Sequence, residues 1–315
     1  MADWHIQLFG EPSIHWQGKP WIKPESIVAL EIFLFLLSHR RTIHSRESLA
    51  SLLWSECPTE QAKKNLRQTL WRLRSCDAVP HEVKHTFLVS IDKEHLQLDP
   101  AIDCRIDTEL FEEIYRELKT KQPVDEHLAG RLREAAQLYR GRFLEGHWHD
   151  WCLFERERLQ NMYLAIMDKL IEWCLCERKL EDGLDYGERV LQLDPAAERA
   201  HQQIMRLHHL SGNRTAALRQ FERCVKHLKE ELDVEPSAGT LAILAQIRSD
   251  NLTGDIAPHL PATHQATLSL PQLSGRLRQF QTRLAELQKQ IQNEIEMVEH
   301  FLPKQTTKAT DSGQH

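Results

Sequence analysis

The sequence has no segment suited to entering or crossing a membrane. Residues Met1 to Gly10 lack the basic lead and long apolar run of a signal peptide, and the longest apolar stretch, Ile27 to Leu37, is too short to span a bilayer and contains Glu31. A cytoplasmic location without a transmembrane helix is expected. Cysteines at framework spacing are missing too: the seven thiols at 57, 76, 104, 152, 174, 176 and 224 are odd in number and scattered, which fits reduced, mostly core cysteines better than a disulfide framework. Signatures of chemistry are scarce. Neither G-x-S-x-G nor G-x-x-x-x-G-K-[ST] occurs, and the single H-E-x-x-H, His81-Glu-Val-Lys-His85, falls between Val79-Pro80 and the strand expected from Thr86, not on an expected helix that would bring its histidines to one face, so neither enzymatic activity nor a cofactor is expected. Positive charge is scarce as well, since the 315 residues carry a formal net charge of −6. A protein that binds a polyanion must then concentrate its cations on one element.

What is present is ordinary globular composition, 41% apolar and 27% charged, over a length that suits about two domains. Met1 to Leu98 holds 12 Lys and Arg against 11 Asp and Glu, so the acidic excess lies in the remainder. Trp4 to Phe9 and Ser13 to Trp16 alternate like short strands around Gly10-Glu-Pro12. Ser26 is placed to cap a mostly buried helix over Ile27 to His39, and Ser45 a second helix whose Leu49, Leu52 and Leu53 share a face. Pro58, read as the first helical residue, opens a third helix over Thr59 to Cys76. Thr86 to Ile91 and His95 to Leu98 flank Asp92-Lys-Glu94 as a hairpin. Strands, three helices and a hairpin is the order of a winged helix-turn-helix, here residues 1–98.

From Asp103 the strand signals cease, and residues 103–250 read as all helical, with breaks at Gln122-Pro123, Gly141, Gly146, Asp194-Pro195, Ser211-Gly212 and Glu235-Pro236. Asp182 to Tyr186 and Gly212 to Ala216 each precede a helix, at an offset near the roughly 34-residue period of tetratricopeptide repeats. Stacked helix hairpins follow from that period. Residues 251–271 read as a linker. From 272 to 303, Leu273, Leu277, Phe280, Leu284, Leu287, Ile291, Val298 and Phe301 keep heptad spacing, interrupted once by Glu294. A coiled coil and a homodimer are expected there, with docking onto the helical domain or a partner helix as the competing readings, and residues 304–315 read as a disordered tail. The fold class is therefore mainly α: an N-terminal winged helix-turn-helix, an all-α tetratricopeptide-like domain and a C-terminal coiled-coil helix.

The cations concentrate on the third helix. Thr59 to Ser75 holds five basic residues against one acidic, with Ala62, Leu66, Leu70 and Leu73 on one face and Lys64, Arg67, Gln68 and Trp71 on the other. Lys63, Arg72 and Arg74 flank that face. Arg and Gln hydrogen-bond base edges in the major groove and Lys neutralises phosphate, so these residues are candidates for contact with double-stranded DNA. Lys84, His85 and Lys93 would set the hairpin against the backbone. Charged helix faces are otherwise merely solvated, and Trp71 could instead pack on the hairpin or on another protomer. Other groupings carry less. His147-Trp-His149 beside Asp150 and Cys152, and Cys174-Leu-Cys176, lack zinc-site spacing, and Trp148, Trp151 and Trp173 read as core in preference to an effector pocket.

Ser45-Arg-Glu-Ser-Leu-Ala-Ser-Leu-Leu-Trp54 followed by Ala62-Lys-Lys-Asn-Leu-Arg-Gln-Thr-Leu-Trp-Arg-Leu-Arg74 resembles the DNA-binding domain of the Streptomyces antibiotic regulatory protein family. The helical region is similar to that family's bacterial transcriptional activator domain. The residues that carry the likeness are Leu138-Tyr-Arg-Gly-Arg-Phe-Leu144, Asp150-Trp151 with Glu155 to Leu159, Leu193-Asp-Pro195 with Glu198, and Glu231 to Ser237 with Thr240. The resemblance implies an activator that binds promoter repeats and recruits RNA polymerase, with Lys64, Arg67, Gln68 and Trp71 at recognition positions. The rival from another class is an interaction adaptor whose repeats bind protein and whose winged helix is a second protein-binding surface.

Overall fold

In the computed structural model, the described residues are 4–20, 26–75, 88–121, 123–147 and 149–249. Strands β1 (Trp4–Gln7), β2 (Ser13–Trp16) and β3 (Lys19–Pro20) open the chain. Helix α1 (Ile27–Ser38) follows, with the Ser26 hydroxyl accepting the Ala29 N–H as expected of an N-cap. Ile32, Phe33, Leu34, Leu36 and Leu37 are buried, so α1 is a core helix apolar on nearly all sides.

Two-residue β4 (His44–Ser45) leads into α2 (Arg46–Leu53), whose N-cap is Ser45. Leu49 and Ala50 are buried on α2, whereas Leu52 is exposed, so the inward face is rotated from the one read off the leucines. Helix α3 (Thr59–Ser75) packs against α1 and α2, and Pro58 sits one residue before it, its carbonyl accepting the Ala62 N–H. Strands β5 (Leu88–Ser90) and β6 (His95–Leu98) pair antiparallel, and β4 joins the other edge of β6 in a three-stranded sheet ordered β4-β6-β5. This is the winged helix-turn-helix. The hairpin's earlier residues, Thr86 and Phe87, and Lys84 and His85 before them, lie outside the described residues.

The expectation that strands end before Asp103 fails at one place. Strand β7 (Cys104–Ile106) runs parallel to β1 and completes a second sheet ordered β3-β2-β1-β7. Only three residues long, it gains its regularity from a partner about a hundred positions away, which no local pattern announces. Helices α4 (Asp107–Thr120), α5 (Glu126–Leu138), α6 (Asp150–Glu177), α7 (Leu180–Leu193), α8 (Glu198–Leu210), α9 (Arg214–Leu232) and α10 (Ala238–Ser249) follow, each packed chiefly on its neighbours in sequence. Asp182 to Tyr186 falls within α7, not before it.

All described residues belong to one compact unit, Met1–Thr253, and one apolar core runs from Trp4 and Ile6 through α1 and α3 to α4, α6 and α8. The seam between the winged helix and the helical array is tied by polar contacts. The buried Asp107 carboxylate accepts the backbone N–H groups of Leu8 and Phe9, and Glu31 on α1 meets the rings of His147 and His149. Arg156 donates to the carbonyls of Phe143, Leu144 and His147, holding the turn that precedes α6. The expected linker, heptad segment and tail, residues 251–315, lie outside the described residues. No described helix is long and apolar enough to cross a membrane.

Candidate nucleic-acid interface

Helix α3 is held by a dry side. Ala62, Leu66, Leu70 and Leu73 are at most 3% exposed, at the three- and four-residue spacing that lines one face. Burying each leucine contributes roughly 1.5–3 kcal/mol, which fixes the helix's rotation about its own axis. The opposite side is thereby turned to solvent: Lys64, Arg67, Gln68, Trp71 and Arg72 are all exposed. Thr69 sits at the boundary and returns its hydroxyl to the Asn65 carbonyl at 2.9 Å.

Charge on this face is largely uncompensated. Lys64, Arg67 and Arg72 form no ion pair with any described residue, and the one acidic residue of α3, Glu60, lies 3.9 Å from Lys63. Lys63 is the exception among the cations, since its ammonium also reaches Glu47 of α2 at 3.1 Å. It therefore bridges the two helices of the motif. The side chain of Arg74 and all of Lys84 lie outside the described residues.

The hairpin is braced against the start of α2. The Arg46 N–H donates to the Glu94 carbonyl at 2.8 Å and its guanidinium donates to the Ser90 hydroxyl at 3.0 Å. At the tip, Asp92 accepts the N–H groups of Glu94 and His95, each at 2.7 Å, and these bonds hold its carboxyl below the ordinary range. Lys93 is exposed at that tip, but between Asp92 and Glu94, so the described tip adds little net positive potential. Arg46 and Asp92 were not singled out from sequence. Their role depends on strands brought back beside α2, and only the turn residues Asp92-Lys-Glu94 hinted at it.

The remaining sequence candidates resolve as structure. Trp151 is 8% and Trp173 5% exposed, and the Trp173 ring is flanked by Arg133 and Lys179. Trp148 lies outside the described residues. Cys152, Cys174 and Cys224 are fully buried, and burial pushes their thiols up to about 12, 11 and 12. No cluster among the described residues has the make-up of a metal site. The motif residues Glu198, Ser237 and Thr240 meet in space: Glu198 accepts the Ser237 N–H at 2.7 Å and the Thr240 hydroxyl, anchoring the start of α10 to the start of α8.

Residues 106–248 match the sequence model of the family described as bacterial transcriptional activator domain. The matched stretch begins at the last residue of β7 and ends within α10, which agrees with the resemblance to the Streptomyces antibiotic regulatory proteins. The match likens this part of the chain to transcriptional activators. A similar fold occurs in the solved structure of Mycobacterium tuberculosis EmbR in complex with a low-affinity phosphopeptide, with a TM-score of 0.64 at 17% identity. The superposition covers 79% of this chain and 66% of that one, more than the stretch matched by the family model. No curated protein matches the sequence.

Proposed function

We propose that the chain is a DNA-binding transcriptional activator that reads duplex DNA with α3. The observation that carries this reading is the division of α3 into a buried apolar side and a solvent-facing side holding Gln68, Trp71 and three cations that have no ion-pair partner among the described residues. An α-helix fits the major groove, where Arg67 and Gln68 have the donors that base edges accept and Lys64 and Arg72 can meet phosphates. Lys93, and Arg74, Lys84 and Lys63 near it in the motif, would add backbone contacts of lesser weight. Such a protein works in the bacterial cytoplasm, on the nucleoid. The activator domain would then present its surface to RNA polymerase, and the heptads of 272–303 support a homodimer.

The test is a titration against duplex DNA at several salt concentrations. Affinity should fall steeply with salt, and the Lys64→Ala, Arg67→Ala double variant should bind more weakly with a slope lower by about two, one per lost cation. Sequence-selective binding untouched by both changes would move the reading surface elsewhere. Comparing sedimentation with and without residues 265–315 examines the dimer, which an unchanged monomeric mass would remove.

A further inference from the structure

The least settled residue on α3 is Trp71. It is 66% exposed, whereas Trp4, Trp151 and Trp173 are at most 8% exposed, and it is the one exposed tryptophan among the described residues. Among the described residues no ring stacks on it, and neither Arg67 one turn before it nor Arg72 beside it lies over its face. An indole offers 150–250 Å² of contact area, and here most of it is left to solvent. It stands at the middle of the cationic face, seven residues after Lys64, four after Arg67 and three after Gln68. Those spacings align the four side chains on one side of the helix.

Resting on the DNA-reading proposal above, we propose that Trp71 confers specificity for thymine by packing on its 5-methyl group in the major groove. The base edges there offer hydrogen-bonding atoms at every pair, and the thymine methyl is the apolar feature among them. A side chain with a broad apolar surface and a single N–H donor cannot satisfy two base-edge partners as Arg or Gln does, but it can exclude water from a methyl. The neighbouring Gln68 supplies the context. Glutamine pairs with adenine, and three residues of helix rise about 4.5 Å against a base step of about 3.4 Å, so Trp71 faces a position one or two pairs from the one Gln68 reads. The favoured sequence should contain an adenine for Gln68 and, within one or two pairs, a thymine for Trp71.

The experiment starts from duplexes selected out of a random library by the full-length protein. Each thymine of the selected sequence is then replaced singly by deoxyuridine, which removes the methyl and leaves the hydrogen-bonding edge and charge unchanged. Wild type, Trp71→Ala, Trp71→Phe and Gln68→Ala are titrated against each duplex, with thermal melting to show that the variants fold. One or two replacements should weaken wild-type binding roughly four-fold, the loss expected for one buried methyl. Trp71→Ala should bind the thymine and deoxyuridine duplexes equally, Trp71→Phe should keep part of the discrimination, and Gln68→Ala should keep it all. If wild type selects a sequence yet ignores every replacement, or if Trp71→Ala retains the methyl effect, the thymine assignment fails while DNA reading stands. A Trp71→Ala defect confined to cooperativity between two bound copies, with no methyl effect, also overturns it in favour of a protein contact. Recovery of no selective duplex at all overturns both.

Discussion

The Asp107 carboxylate accepts the backbone N–H of Leu8 at 2.8 Å, joining the first residue of α4 to the loop after β1 across 99 positions of sequence. The same group accepts Phe9 at 3.1 Å and its neighbour Thr108 at 2.8 Å. It thereby closes the seam where the helical array meets the N-terminal sheet, and β7 immediately before it is pinned to β1.

Truncating this carboxylate leaves three buried donors without partners. Each such donor costs about 1–3 kcal/mol, so Asp107→Ala should lose roughly 3 kcal/mol or more, read as a lower urea midpoint. Burial raises the Asp107 pKa from 3.8 to about 6, against the opposing pull of the N–H bonds. The folded state thus holds a proton that the unfolded chain has released. Stability from this group is present in full below 3.8 and is lost as pH rises through about 6. Asp107→Asn should remove that slope between pH 4 and 7, and an unchanged slope would show that the group does not titrate as described.

The contrast between α3 and β7 shows what the sequence could and could not disclose. The apolar face of α3 repeats at helical spacing, and all four of its residues are buried, because one helix rotating in place needs only local information. The Ser26 and Ser45 caps were legible for the same reason. β7 and Asp107 were not, since their partners are backbone groups supplied by the fold. Leu52 misled because a run of leucines in a short helix fixes its rotation poorly. Gly183 also misled: the stretch Asp182 to Tyr186 was read as preceding a helix, whereas Gly183 is a close-packing position inside α7. On the candidate interface, residue types pointed to the face, but the engagement of Lys63 by Glu47 required two helices placed side by side.

Gly187 should resist replacement by alanine. In an exposed helix that change gains up to about 1 kcal/mol, because glycine is the poorer helix former. Here an added Cβ would stand 2.5 Å from Cγ1 and 2.8 Å from Cδ1 of Ile204, a residue with no solvent exposure. The α7 and α8 backbones must separate or Ile204 must leave its rotamer, at a cost of about 1–3 kcal/mol. Gly187→Ala should therefore lower the melting temperature. Combining it with Ile204→Val should recover part of the loss if this contact is the cause.

The attachment of α10 should depend on Glu198. Its carboxylate holds the Ser237 N–H and the Thr240 hydroxyl, and Thr240 also accepts from Gln202 at 2.8 Å, all around a threonine with no exposure. Glu198→Ala should cost about 2 kcal/mol, since it leaves a buried hydroxyl and an N–H of the α10 cap unpaired. Amide exchange is the discriminating measurement. Protection should fall in α10 first and in α6 little, whereas uniform loss across the array would mean that α10 is held mainly by Ile243, Leu244 and Ile247.

His201 predicts an acid sensitivity of the helical array opposite in sign to that of Asp107. It is fully buried on α8, with Nε2 donating to the Pro195 carbonyl at 2.9 Å and Nδ1 accepting from Gln220 at 2.8 Å, an arrangement that fits only the neutral ring. Burial lowers its pKa below 6.5, and the nearby His227 and Arg223 add to that fall against the Pro195 bond. The unfolded chain therefore binds the proton first. Stability from this group is present in full above 6.5 and is lost as pH falls through the depressed folded value. His201→Gln should be less stable at pH 7, because both hydrogen bonds are disturbed, yet its stability should decline less steeply between pH 7 and 5. As Asp107 pulls the other way over part of that range, the comparison is cleanest in an Asp107→Asn background. A variant that loses stability in parallel with wild type would show that acid acts elsewhere in the array.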